Sequence, residues 1–286
     1  MDTFGVASRV FRDPAAGRGT GETTGGVRKM SIELDRDGHV ALITINRPER
    51  LNALDAQHYS DLSDAWCEVR DDGSIRAVVV TGAGERAFTV GADLKSFIPE
   101  VPQLNEFWLT QRGQLLNRGL EVWTPVIAAI NGYCLGGGLT LMLATDIRVA
   151  AEHARFGLPE VKRGVLPANG GTQRILDQLP FALGMEMLLT GEPIDAELAL
   201  RWGLVNRVVP AAEVLDAAYA YAHQIAGNAP LAVRAAKELA YRSRDLDLAS
   251  GLRLEQSIAR IVRESSDARE GARAFSEKRE PNFSGA

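Results

Sequence analysis

A chain of 286 residues with 45% apolar content can bury a sizeable core, either as one large α/β unit or as a core with a helical appendage. Its formal net charge of −5 lacks the basic footprint that nucleic-acid binding needs, although a local basic patch for a phosphate-bearing ligand stays open. No run of about eighteen apolar residues is present, so no membrane span is expected. The two cysteines, Cys67 and Cys134, are too few for a disulfide framework and read as small buried hydrophobes.

Residues 1–29 are rich in Gly, Thr and Arg, and Gly17 to Gly26 (GRGTGETTGG) reads as flexible linker. Folding is expected to begin near Met30, which could itself be a start residue. Val40 to Ile45 is a β-rich run, ended by Arg47-Pro48 because proline cannot continue the ladder. Apolar positions at Leu54, Leu62, Trp66 and Val69 predict a helix from Leu54 to Val69. Ala77 to Thr81 and Val126 to Ile130 are short continuous apolar runs, as expected of strands buried on both faces. Asp146 to Ala150 is a third strand, with a polar/apolar alternation. Strands alternating with helices predict an α/β class.

From about Gly170 the pattern becomes helical. Helices are predicted at Pro180–Leu189, Asp195–Trp202, Ala211–Ala226, Leu231–Tyr241 and Leu248–Val262, with a lone late strand at Leu204–Val209. Asp195 and Pro230 stand where an N-cap and a first-turn proline belong. The change of composition near residue 210 divides the chain into a tail (1–29), a core (30–209) and a C-terminal helical region (210–286).

Three segments carry candidate chemistry. Gly136-Gly137-Gly138 precedes a short helix whose first N–H groups would be free, and a backbone without Cβ lets an acyl group approach. Those are ingredients of an oxyanion hole, though three glycines after a strand also make an ordinary tight turn. Gly91-Ala92-Asp93 could supply a second backbone donor, or could be a strand-to-helix turn capped by Asp93. Glu160 stands among Phe156, Leu158, Val161 and Val165, where desolvation would raise its pKa toward the range useful for proton transfer. A first-turn helix glutamate is the plainer alternative. His39, His58, His153 and His223 are scattered without ligand spacing, so no metal is expected.

Taken together, Asn131-Gly132-Tyr133-Cys134-Leu135-Gly136-Gly137-Gly138-Leu139-Thr140, the Thr89–Lys95 segment and Phe156–Arg174 resemble the enoyl-CoA hydratase/isomerase (crotonase) family. Asn46–Leu54 and Phe275–Pro281 extend the resemblance from about residue 31 to 283. It implies a crotonase-like spiral of strand-strand-helix repeats with a C-terminal helical trimerisation region. It also implies an acyl-CoA thioester substrate, no cofactor beyond the coenzyme A moiety, a homotrimer or hexamer, and a cytoplasmic location. By the same resemblance Ala92 and Gly137 donate the oxyanion-hole N–H groups and Glu160 is the acid/base. Arg50, Leu51, Asp93, Leu94 and Lys95 would lie along the coenzyme A. Phe275 and Lys278 would reach coenzyme A bound to a neighbouring subunit; a solvated surface lysine is the other reading of Lys278.

The chain departs from the family pattern at Thr140, where many hydratases carry a second glutamate. A threonine hydroxyl can hold water but cannot act as a base at neutral pH. One carboxylate suffices to shuttle a proton, so isomerase-type migration of a 3-enoyl double bond is favoured on mechanism. Hydration of a 2-enoyl-CoA stays open. A non-catalytic acyl-CoA-binding relative that lost hydratase activity through Thr140 is the alternative. Arg163 could suit a carboxylated acyl chain or be an ordinary surface arginine. Phe107, Trp108 and Trp123 could shape an acyl pocket or simply pack.

Overall fold

The computed structural model describes residues 31–97 and 114–286. Phe107 and Trp108 fall outside them.

Six strands form one sheet: β1 (Ile32–Asp37), β2 (Val40–Ile45), β3 (Ala77–Gly82), β5 (Val126–Ile130), β7 (Ile147–Ala151) and β10 (Arg207–Val209), neighbours in that order. All pairings are parallel except the β1–β2 hairpin. A second sheet holds β4 (Ala87–Thr89), β6 (Tyr133–Leu135), β8 (Arg155–Gly157) and β9 (Ile194–Asp195). Consecutive strands alternate between the sheets: β3, β5 and β7 enter the first, and β4, β6 and β8 the second. The chain therefore winds as a spiral of two-strand turns, and this is the crotonase fold.

Both faces of the larger sheet are covered, which explains its unbroken apolar runs. Alternate residues Val78, Val80, Val126, Ala128 and Ile130 pack with Leu62 and Trp66 of α1 (Ala56–Asp71). The intervening Ala77, Val79, Ile127, Ala129 and Val149 pack against Val214, Ala218, Ala222 and Ala226 of the helix Val214–Ala226. That helix is built into the core although it follows the change of composition at residue 210.

The first helix starts two residues later than its apolar spacing suggests. Asp55 caps it, its carboxylate accepting from the Gln57 and His58 amides at 3.1 Å each. Leu54 is instead held as a bridge to Ala92. Among the described residues the further helices in chain order are α2 (Leu94–Phe97), α3 (Gly137–Met142), α4 (Gly171–Gln178), α5 (Phe181–Thr190), α6 (Ala196–Arg201), α7 (the Val214–Ala226 helix), α8 (Pro230–Arg242), α9 (Leu248–Arg263) and α10 (Ser266–Glu277). Asp195 caps α6 and Pro230 stands in the first turn of α8. Leu204 to Asn206 stay outside the late strand, which is confined to β10. No helix among the described residues is long and apolar enough to cross a membrane.

Candidate active site

A cleft of about 540 Å³ opens where β4, β6 and α3 meet the turn that follows β8. Its construction begins with Asn52, fully buried at φ 57°. The Asn52 amide donates to Ala83 O and Ala87 O at 3.0 and 2.7 Å, and its Oδ1 accepts from Arg47 N at 2.9 Å. Arg47 in turn reaches Asp93 at 3.1 Å and Asp55 at 3.4 Å. Leu54 N donates to Gly91 O, and Asp93 N donates to Leu54 O, both at 2.8 Å. The residues on either side of Ala92 are thus pinned, and among the described residues the Ala92 amide donates to nothing.

Gly91 has φ 82°, and a Cβ there would lie 2.4 Å from Gly137 N. Only glycine permits this approach. Gly138 is equally confined, because its Cβ would meet Thr89 O at 2.1 Å. These contacts press the end of β4 against the start of α3. A Cβ on Gly137 would sit 3.5 Å from Ala92 N, so the two amides are neighbours. Gly137 N, as the first helical amide, has no partner within α3 and none elsewhere among the described residues. Two free N–H groups side by side can hold one developing oxyanion.

Glu160 lies on the 3-10 turn Pro159–Arg163. Its Oε1 is 3.4 Å from the position a Gly136 Cβ would take, so the carboxylate rests over the glycine run. Glu160 Oε2 is buried without a hydrogen-bond partner among the described residues. Burial pushes its pKa up, partly offset by its own backbone amide. Of its apolar neighbours in sequence, Phe156 and Leu158 are buried, whereas Val161 and Val165 are exposed. Val165 lines the same cleft with Leu166.

Thr140 is 1% exposed. Its hydroxyl donates to Gly137 O at 2.9 Å and accepts from the Asn117 amide at 3.2 Å. A Cβ on Gly171 would be 2.5 Å from Thr140 Cγ2, so α4 closes in behind it.

Ala92, Gly137, Thr140 and Glu160 line one cleft, together with Arg50, Asp93, Leu94, Lys95 and Arg163. Leu51 does not line it; at φ 53° it caps the 3-10 turn Pro48–Arg50, and its carbonyl accepts from Val90 N at 3.3 Å. Phe275 and Lys278 lie away from the cleft lining of this subunit, on α10 and at its left-handed C-cap. Asp93 takes the capping position at the start of α2, accepting from Lys95 N at 3.2 Å. Trp123 packs edge-on against Tyr241 at 6.5 Å and under Arg242, outside the cleft lining.

Sequence reasoning missed Tyr59 and Asn117. Tyr59 lines the cleft from α1, and burial beside the Glu160 charge pushes its phenol up to about 12 against the opposing effect of Arg118. Its place three residues before Leu62 on the buried stripe was an available signal. Asn117 lies on the short 3-10 turn Leu116–Arg118 and meets Thr140 across 23 residues, which no local pattern announces.

Residues 35–286 match the family described as enoyl-CoA hydratase/isomerase. The chain is 44% identical to (E)-benzylidenesuccinyl-CoA hydratase from Thauera aromatica, over 90% of this chain and 100% of that protein. It is 41% identical to carnitinyl-CoA dehydratase from Proteus mirabilis, over 90% of this chain and 99% of that one. Among solved structures, enoyl-CoA hydratase from Bacillus anthracis superposes with a TM-score of 0.83 at 36% identity, covering 90% of this chain and 100% of the other. Enoyl-CoA hydratase from Mycobacterium tuberculosis gives 0.80 at 36% identity, covering 90% and 99%.

Proposed function

Because the chain belongs to the enoyl-CoA hydratase/isomerase family, we propose that it is an acyl-CoA hydratase/dehydratase working through a thioester enolate with Glu160 as its one acid/base. The thioester oxygen is held by the Ala92 and Gly137 amides. In the hydration direction Glu160 removes a proton from water as the water oxygen bonds to C3. The C2–C3 double bond opens into the enolate, and its charge is carried on the oxygen between the two amides. Glu160 then returns the proton to C2 on the same face, so H and OH are added and the carboxylate is regenerated. Dehydration retraces these steps. The cleft's basic residues Arg50 and Lys95 suit the phosphates of coenzyme A, and Val165 and Leu166 suit the acyl chain.

The carrying observation is the unpartnered Glu160 carboxylate resting over the glycine run beside two free amides. Relatives named as a hydratase and a dehydratase favour hydration chemistry over isomerisation, and an enzyme over a binding-only relative. Isomerase-type migration of a 3-enoyl double bond is kept as a second reading because Thr140 stands where a second acid/base glutamate would be, leaving Glu160 as the one proposed base. Arg163, on the same turn as Glu160 and lining the cleft, supports an acyl chain bearing a carboxylate, as benzylidenesuccinyl does.

The test is product analysis in heavy water with crotonyl-CoA, 3-hexenoyl-CoA and benzylidenesuccinyl-CoA. A 3-hydroxyacyl product with one deuterium at C2 is the expected result. Double-bond migration without hydroxylated product would replace hydration by isomerisation. Saturable binding with neither reaction on any thioester would leave only an acyl-CoA-binding role.

A further inference from the structure

Asn117 lies outside every motif that identifies the family, yet it is 6% exposed and spends its amide on the one residue that departs from the two-glutamate pattern. Hydrogen-bond accounting at Thr140 suggests what it does. A threonine hydroxyl has one proton and two lone pairs. Thr140 gives its proton to Gly137 O at 2.9 Å and fills one lone pair with the Asn117 N–H at 3.2 Å. In this orientation the Asn117 Oδ1 is itself buried without a partner among the described residues. Asn117 is itself anchored, since its backbone oxygen accepts from Arg174 at 3.2 Å, and Arg174 also holds Asn169 O at 2.9 Å. One lone pair of Thr140 remains, and Thr140 lines the cleft. Glu160, with its unpartnered Oε2, lines the same cleft. Thr140 and Glu160 thus each offer the cleft an acceptor, which suits a ligand that donates twice, and water does so while leaving its own lone pairs free to attack.

We infer that Asn117 is a positioning residue for hydration: it locks the Thr140 hydroxyl as an acceptor, so that Thr140 and Glu160 together cradle the water that adds to C3, or the hydroxyl that leaves it. Thr140 orients the water and Glu160 alone takes its proton, which then passes to C2. The inference rests on the hydratase reading above, and the test separates the two.

Two rates are compared for each variant: hydration of crotonyl-CoA and exchange of the C2 proton of butyryl-CoA in heavy water. Exchange needs Glu160 and the two amides but no water at C3. In Asn117→Leu and in the nearly isosteric Thr140→Val the ratio of hydration to exchange is expected to fall by about tenfold to a hundredfold, the scale of a misplaced reactant. Thr140→Ser, which keeps the hydroxyl, restores the ratio. Should Asn117→Leu fold poorly, Thr140→Val still decides the matter. A ratio unchanged in both variants, whether both rates fall together or neither falls, overturns the inference and leaves the hydratase reading standing. Wild-type protein that exchanges C2 protons but hydrates none of the thioesters overturns hydration and the cradle with it, while leaving the enolate site intact.

Discussion

Among the described residues two carboxylates line the cleft: Asp93, held by Arg47 at 3.1 Å, and Glu160, whose family partner position carries a threonine with its proton bound to Gly137 O. Glu160→Gln keeps the shape and removes the base. It is expected to lower turnover by about 10²- to 10⁴-fold while coenzyme A affinity persists, measured by steady-state kinetics and by isothermal titration. The pH profile follows from burial. The pKa lies above the ordinary 4.5, and the base form is required, so kcat/KM falls as pH drops through that raised value. An acid limb at or below 4.5 would contradict the assignment. The same burial has a consequence for stability with its own sign. A carboxylate whose folded pKa is raised favours the folded state when protonated and opposes it when ionised. Glu160→Gln should therefore raise Tm at pH 7, and the gain should shrink as pH falls through the raised pKa. A lower Tm at pH 7 would show that the ionised carboxylate is better solvated or partnered than its orphaned Oε2 indicates. The sequence disclosed Glu160 through its apolar neighbours and its spacing from the glycine run. It did not disclose that Phe156 and Leu158 are buried while Val161 and Val165 are exposed, because that depends on how the 3-10 turn sits on the core.

At the scale of elements, the site is a contact between the end of β4 and the start of α3, and that contact is made of glycine. Gly91→Ala adds a Cβ 2.4 Å from Gly137 N at a backbone φ of 82°. The left-handed conformation alone costs about 1–2 kcal/mol for a residue with a Cβ, and relief of the clash must separate the two amides. Turnover is expected to fall by about 10²- to 10³-fold, the scale of a lost oxyanion donor, with a lower Tm in a circular-dichroism melt. Gly38→Ala, at φ 58° with open space around the Cβ, is the control: it should show the backbone cost without the kinetic loss. Equal kinetic losses in both would remove the argument from proximity. Elements of this kind were unevenly legible. The runs at β3 and β5 were visible because both faces are buried, and α1 because its stripe repeats. β4, β6 and β8 have three residues each, too few for any period to register. The last helix, α10, was not visible either. Its buried residues are Asp267, Glu270 and Ala274, so its inward face reads as polar. Those carboxylates hold the C-terminal segment: Asp267 accepts from Ser284 N and Gly285 N at 2.7 and 2.8 Å, and Glu270 from Arg279 and Asn282 N.

The whole molecule leaves apolar surface that one subunit does not cover. No residue of α9 is buried, yet Leu248, Leu252 and Ile261 on it are 79%, 49% and 70% exposed, and Phe275 is 87% exposed. Large apolar side chains left this exposed call for cover, and assembly into a trimer, or a hexamer of two trimers, is the expectation that would supply it. Phe275 and Lys278 stand away from their own cleft, so any part they take in binding must be played at a neighbour's. That links affinity to assembly. Sedimentation velocity should show a trimer or hexamer, and dilution below the assembly constant should raise KM for the thioester as the neighbour's contribution is lost. Lys278 sharpens the test, because it caps α10 at φ 56°, a conformation glycine adopts freely. Lys278→Gly removes strain of about 1 kcal/mol and should raise Tm. If the lysine serves only as a surface residue, KM is untouched. If it reaches the neighbour's coenzyme A, KM rises although the protein is more stable, and the effect vanishes with a substrate truncated to the pantetheine thioester, which lacks the nucleotide phosphates.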